Sequence, residues 1–363
     1  QVQLKRVNVM VFCKVEYGAC LLLAAVCRGA HAATYAHATL VVDGINRQFK
    51  QIMPNAVSSG GKPEGLIIAA HGRGGGMDDF CDRYVMDGGS LADTLNVGVI
   101  CPEALSFGGK TCWRSFPING GYCNTDEDTE ADIKFLMLIA RRHRTEFERN
   151  FSIENGTDAL AKYTGSREQK VLLMGCSSGA SITYRYACNG LGYTQWIDGI
   201  AAVANSFYDP GKGWQWQWGS PTCDHTHARS LSHFSLIGTM DRWYKADYWN
   251  SWREYATEVL ACDDAGYEYV GNSHYSLWWR NGQYQVRCYE PRSCSIKNRV
   301  CEVLFVGHDC TMSHKAARMA WGLLDGGVGS SLYTTTRTTR TTTSRTTSSI
   351  TIRTTSTRST TTG

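Results

Sequence analysis

The chain has no long hydrophobic run. Its most apolar stretch near the amino end, Ala19 to Val26, falls far short of the roughly 20 residues needed to span a bilayer, so no stable membrane anchor is expected. It has no internal repeat, which sets aside solenoids and propellers. No Gly-Lys-Ser/Thr completes the glycine-rich stretch Gly72 to Gly76, which argues against a phosphate-binding loop. Standard metal-ligand spacings are also missing. The nearest approach, Cys223-Asp224-His225-Thr226-His227, matches no zinc pattern and reads equally well as a polar disulfide loop, so no metal is expected. Nor is there a basic body. The formal net charge is +4, of which the final Thr/Ser/Arg tract carries +5 and the first 32 residues +3, leaving −4 for the remainder. A nucleic-acid partner calls for the opposite sign.

What is present divides the chain in three. Lys5, Arg6 and Lys14 precede the short apolar stretch, and Ala30-His31-Ala32 offers a small-x-small cleavage site. This is the layout of a secretory signal peptide over residues 1–32, with Met10 as a candidate start. Residues 334–363 are almost entirely Thr, Ser and Arg and have too little apolar surface to fold. They read as a disordered, O-glycosylated tail or linker, with a further module possible after it. Residues 33–333 form the expected globular body of an extracellular protein. Twelve of the 15 cysteines fall in it, an even number that suits several disulfides in an oxidising compartment. Cys112 with Cys123 and Cys288 with Cys294 are plausible local loops. A Cys176–Cys310 bridge is conceivable, with a buried free thiol as the other reading of Cys176. Two sequons, at Asn150 and Asn155, mark a surface loop.

Strands are expected at Ala38–Val42, Leu66–Ala70, Val97–Cys101, Val171–Gly175, Gly199–Ala204, Phe234–Ile237 and Val300–Val306. Helices are expected at Glu130–Arg149, Ser178–Cys188, Trp249–Cys262 and Ser313–Leu324. Continuous apolar strands alternating with helices predict an α/β fold with a mostly parallel, doubly wound sheet. Ligands of such sheets sit at the carboxyl ends of the strands. Acids from Asp126 to Asp132 read as a helix start favoured by the helix dipole rather than as a metal site.

The chemistry gathers at those strand ends. Gly175-Cys176-Ser177-Ser178-Gly179 lies between an apolar strand and a helix, which is the setting of a nucleophile elbow. Ser177 is the expected nucleophile. A serine hydroxyl needs a base, and the base needs an orienting acid. Asp241 closes the run His233 to Met240 and is the expected acid, with Asp247 and Asp209 as alternatives. His308 follows the strand at Val300–Val306 and is the expected base, with His314 as its rival on the closing helix. His71-Gly72-Arg73-Gly74-Gly75-Gly76 follows an early strand. The backbone N–H groups of Arg73 and Ser178 are the expected oxyanion donors. His71 itself reads as a structural hydrogen-bonder. Trp214, Trp216 and Trp218 alternate with glutamine, and core packing or a stacking surface for substrate both explain them.

Five ordered motifs, His-Gly-x-Gly-Gly, Cys112-Trp113, Gly-x-Ser-x-Gly, Gly-Thr-x-Asp and Gly-His, together resemble the secreted polyhydroxybutyrate depolymerase and feruloyl esterase family, the carbohydrate esterase family one group. The resemblance runs from about Ala38 to Asp325. It implies an α/β-hydrolase fold, a Ser-His-Asp triad and an acyl-enzyme, with no cofactor; a monomer is expected. Feruloyl or acetyl esters of plant polysaccharide are the expected substrate, with polyhydroxyalkanoate polyester as the alternative. Two departures separate this chain from the pattern. Asp309-Cys310-Thr311 stands where many relatives have Trp-Pro, and the Trp214–Trp218 insert is unlike theirs. A non-catalytic polymer-binding protein on the same fold and a secreted peptidase are the competing readings.

Overall fold

Strands buried on both faces must be apolar throughout, whereas strands at a sheet edge can carry polar residues. The molecule follows this rule from its centre outward. The computed structural model describes residues 34–325 apart from 59–61, 87–89, 108, 114–128, 155–168, 189–195, 206–224, 242–243, 245–247, 264–266 and 274–284. Its strands are β1 (Thr34–Val42), β2 (Ile45–Met53), β3 (Gly65–Ala70), β4 (Val97–Pro102), β5 (Leu105–Phe107), β6 (Lys110–Cys112), β7 (Lys170–Cys176), β8 (Gly199–Val203), β9 (Ser232–Gly238), β10 (Tyr267–Ser273), β11 (Val286–Pro291) and β12 (Asn298–Val303). Ten of them form one sheet in the order β1-β2-β4-β3-β7-β8-β9-β12-β11-β10, and β5 pairs with β6 in a separate hairpin. The inner run from β4 to β12 is parallel. Antiparallel strands close it at each side.

The two faces of the sheet show strand periodicity. Ile67 and Ala69 belong to one apolar cluster and Leu66, Ile68 and Ala70 to the other. The first cluster includes Met77, Phe80, Leu91 and the closing helix Ser313–Asp325 with Trp321. The second is built on the helices Thr129–Glu154, Ser178–Cys188 and Tyr248–Glu254, through Phe135, Tyr184 and Trp252. A mostly parallel sheet with helices on both faces, antiparallel leading strands and a sharp strand-to-helix turn after β7 is the α/β-hydrolase fold. No described helix is long and apolar enough to cross a membrane.

Several details differ from the sequence expectations. β12 stops at Val303 rather than Val306, because the chain turns at Phe305 with φ of 62°. The helix expected over Trp249–Cys262 continues past Glu254 as a wider π-helical turn, Tyr255–Val259. The acidic run does open a helix, at Thr129, but Asp132 is buried and pairs with Arg47 at 2.7 Å. Its charge is neutralised by a side chain as well as by its place in the helix. Described disulfides are Cys81–Cys101, Cys176–Cys310, Cys262–Cys294 and Cys288–Cys301. The local pair Cys288–Cys294 is therefore not formed. Cys288 and Cys301 face each other across the β11–β12 ladder, which leaves Cys294 to Cys262. Cys112 is disulfide-bonded, and its expected partner Cys123 lies outside the described residues. The same holds for residues 1–33 and 326–363, which include the expected leader and the Thr/Ser/Arg tail, and for Asn155.

Candidate active site

β7 ends at Cys176 and the helix begins at Ser178, so Ser177 alone makes the turn. Its φ is +55°, a conformation that costs an L-residue roughly 1–3 kcal/mol and is kept only where surroundings enforce it. The turn is that tight because the helix packs onto the strand backbone. A Cβ on Gly175 would stand 2.1 Å from the Gly179 carbonyl oxygen, and one on Gly179 would stand 2.1 Å from that of Ala70. Only glycine fits at either place. The Ser177 N–H donates to Val203 O at 2.9 Å on the neighbouring strand. Its carbonyl accepts from the Ser181 N–H at 3.1 Å and from Asn205 Nδ2 at 3.1 Å. Asn205 Nδ2 also donates to Ser181 Oγ at 2.6 Å, so one amide pins both ends of the first helical turn. Sequence reading passed over Asn205. It follows β8 directly, and only the β7–β8 pairing brings that strand end beside the serine.

The three residues read as nucleophile, base and acid meet. His308 Nε2 is 2.9 Å from Ser177 Oγ, and His308 Nδ1 is 2.9 Å from Asp241 Oδ2. A carboxylate only accepts, so Nδ1 carries the proton and Nε2 is left to accept from the serine hydroxyl. Asp241 is fully buried, whereas the His308 side chain is 35% exposed. The loop bearing His308 is fastened to the loop bearing Asp241 by Met240 N–H to Val306 O at 2.8 Å and Phe305 N–H to Thr239 Oγ1 at 2.9 Å. The Cys176–Cys310 bridge joins the residue before Ser177 to a residue two past His308. Asp309 caps the turn that follows, its Oδ1 accepting the Thr311 N–H at 2.8 Å. His314 lies on the closing helix with Nδ1 3.1 Å from Thr311 O. Asp209 and Asp247 lie outside the described residues.

The glycine loop passes over the elbow. A Cβ on Gly72 would stand 3.5 Å from Ser177 Cβ, so Arg73 follows immediately beyond the serine. Ser178, the other expected donor, is the first residue of its helix, where backbone N–H groups have no intrahelical acceptor. His71 supports the loop from beneath and is fully buried. Its Nδ1 donates to Gly72 O at 2.7 Å, and its Nε2 accepts the Ala104 N–H at 3.1 Å. Glu103 Oε1 lies 3.3 Å from the same Nε2, but with a backbone N–H aimed at it that nitrogen has no proton to offer. Trp113 Nε1 donates to His71 O at 2.8 Å, which ties the Cys112-Trp113 motif to the loop. Trp214, Trp216 and Trp218 lie outside the described residues. Among the described residues, no group of three or more His, Cys, Asp or Glu is placed to hold a metal ion. Of the segment from Cys223 to His227, the two histidines belong to a short helix, His225–Ala228.

No protein-family model matches this chain, and no curated protein does. Similar solved structures include an S-formylglutathione hydrolase from Agrobacterium tumefaciens, 11% identical, covering 81% of this chain and 96% of that one at a TM-score of 0.45. An acetyl xylan esterase from Aspergillus awamori is 15% identical, covering 79% and 99% at 0.45. A ferulic acid esterase is 12% identical, covering 81% and 97% at 0.42.

Proposed function

We propose that the chain is a secreted serine esterase that works by acyl transfer. The observation that carries this reading is the hydrogen-bonded series Ser177–His308–Asp241 at the carboxyl ends of the strands. In the proposed reaction Ser177 Oγ attacks the ester carbonyl carbon while its proton passes to His308 Nε2. Asp241 stabilises the imidazolium through Nδ1–H. The backbone N–H groups of Arg73 and Ser178 receive the developing oxyanion, a contribution of roughly 3–4 kcal/mol for a single good donor. The C–O bond to the alcohol then breaks, and the alcohol leaves with the proton from Nε2. Water repeats the sequence on the acyl-enzyme, giving its proton to Nε2 and releasing the acid and Ser177. The residues invoked need no cofactor. Four described disulfides fit an extracellular setting.

The substrate favoured is a feruloyl or acetyl ester of plant polysaccharide. Its support is the Trp214–Trp218 segment, whose alternating indoles suit a feruloyl ring or a pyranose face. A p-nitrophenyl acetate and butyrate panel with a Ser177→Ala control tests the reaction. Parallel assays on methyl ferulate, acetylxylan and polyhydroxybutyrate test the substrate. Replacing Trp216 and Trp218 with Ala should raise KM for feruloylated oligosaccharide and spare p-nitrophenyl acetate. Equal loss on both substrates would make these tryptophans structural.

A further inference from the structure

Among the described residues, six large apolar side chains stand exposed. Tyr35, Val41, Ile45 and Val270 belong to the outer strands β1, β2 and β10, where one side of a strand commonly meets water. The other two, Met240 and Phe305, are 53% and 79% exposed and lie on the loops that carry Asp241 and His308. Phe305 is also strained. Its φ of 62° is one that a bulky residue rarely adopts and that only the surrounding structure can enforce. The Phe305 N–H donates to Thr239 Oγ1 at 2.9 Å, the Thr239 N–H to Val303 O at 2.9 Å and the Met240 N–H to Val306 O at 2.8 Å. Gly238 approaches the same loop so closely that a Cβ there would stand 2.2 Å from Val306 O and 2.7 Å from Gly307 O. These contacts fix Met240 and Phe305 on one rim. An aromatic ring kept in water on a strained backbone costs the fold, so the reason to keep it lies in what it meets. The proposed reaction says which part of a substrate lies there. β3 and β8 flank β7 on opposite sides, and β9 and β12 follow β8. The proposed oxyanion donor Arg73 follows β3, and His308 follows β12, so they reach Ser177 from opposite sides. With the acyl carbon on Ser177 Oγ and its oxygen turned to the donors, the alcohol oxygen faces His308 Nε2, which protonates it. The alcohol half therefore extends over the His308 loop. Phe305 precedes His308 by three residues, at most about 11 Å of chain.

We propose that Phe305, with Met240 beside it, is a platform for the alcohol half of the substrate, and that this half is a pyranose chain, whose flat C–H face suits an exposed ring. The proposal rests on the esterase reading above and assigns the polysaccharide to one side of the triad. The test lets the acyl-enzyme choose between water and sugar. The protein is given p-nitrophenyl acetate with xylotetraose added. Once p-nitrophenol has left, a sugar hydroxyl takes the place of water. Its oxygen bonds to the acyl carbon and its proton passes to His308 Nε2; the acyl C–O bond to Ser177 breaks, and Ser177 Oγ takes that proton back. The ratio of acetylated xylotetraose to acetate then reads the vacated alcohol side alone. Phe305→Ala should lower this ratio about fivefold or more, the scale of a lost ring contact. It should lower kcat/KM for acetylated xylotetraose, relative to ethyl acetate, by a similar factor. Phe305→Trp should restore both. Phe305→Gly separates ring from backbone, because glycine adopts φ of 62° freely. Its Tm should exceed that of Phe305→Ala, while both ratios stay as low. Recovery of the ratios in Phe305→Gly would trace the loss to the backbone and overturn the platform. No transfer to xylotetraose in the parent protein, or a ratio unchanged in Phe305→Ala, would also overturn it and leave the esterase reading standing. A loss confined to 3-hydroxybutyrate oligomers would replace the sugar by a polyester. Silence toward every ester would overturn the esterase reading. Calorimetry of xylotetraose on Ser177→Ala protein would then decide the platform, with binding expected there and lost when Phe305→Ala is added.

Discussion

Ser177 points its oxygen at His308 because a residue with φ of +55° is held from three sides, by Val203, Ser181 and Asn205. Ser177→Ala is expected to fold normally and to lose roughly 10⁴-fold or more in kcat, since the proposed nucleophile is gone. Survival of turnover in well-folded mutant protein would remove Ser177 from the mechanism. Asn205 provides a subtler test. In Asn205→Ala the Ser177 carbonyl and the Ser181 hydroxyl both lose a donor, a stability cost of about 1–2 kcal/mol. A positioning role adds a fall in kcat on p-nitrophenyl acetate with little change in KM. A purely structural role lowers Tm and leaves kcat alone. The two histidines near the carboxyl end separate as cleanly. His308→Ala should match the serine variant, and His314→Ala should stay near normal, because His314 Nδ1 is occupied with the turn at Thr311.

At the scale of elements, the elbow works as a wedge. The helix Ser178–Cys188 approaches β3 so closely that the Gly179 Cα lies against the Ala70 and His71 carbonyls. Gly179→Ala should therefore destabilise the fold by about 2–3 kcal/mol or more, readable as a lowered denaturation midpoint, and unchanged stability would refute the close approach. The same helix shows why the core of the fold was legible in the sequence. Val171 to Met174, Leu66 to Ala70 and Val97 to Cys101 are buried on both faces, so their apolar runs declare them as strands. Apart from β1, expected over Ala38–Val42, the outer strands carried no such signal. β2 reads Ile-Asn-Arg-Gln-Phe-Lys-Gln-Ile-Met, and its polar residues hide a half-buried strand. Arg47 is interior, paired with Asp132 and stacked 4.4 Å from the Phe135 ring centroid, and Lys50 reaches Asp82 at 2.8 Å. β10 and β11 carried as little signal, since β10 is the sheet edge and β11 buries only Val286 and Cys288 among half-exposed residues. The candidate site was legible where a residue type and its strand end coincide, as at Ser177, Asp241 and His308, whose side chains meet. Asn205 was not, because its importance depends on strand order.

For the molecule as a whole, two buried histidines set an acid limit. Burial pushes His143 and His233 down to about 4, with Arg144 adding to the effect on His143 and His227 to that on His233. The unfolded chain takes up these protons at the ordinary histidine value of 6.5, well before the folded one does. Stability contributed by keeping both rings neutral is thus fully present above 6.5 and lost as pH falls toward 4. The loss is on the order of a few kcal/mol, so urea midpoints should fall steadily across that window. A flat profile would mean that both rings are open to water. The bridge Cys176–Cys310 has a consequence of another kind. It closes a loop of 134 residues, enough to stabilise the fold by roughly 5 kcal/mol, and its two ends flank Ser177 and His308. The loops bearing Asp241 and His308 are bonded to each other without it, whereas the turn bearing Ser177 is tied to the His308 loop through sulfur. Cys176→Ala combined with Cys310→Ala should lower kcat at temperatures where the protein remains folded, while removing Cys81–Cys101 should lower only Tm. An equal kcat in both variants would reduce the bridge to a staple. Should kcat fall in that double variant, closing this one bridge would set the distance between Ser177 and His308 as well as cross-link the fold.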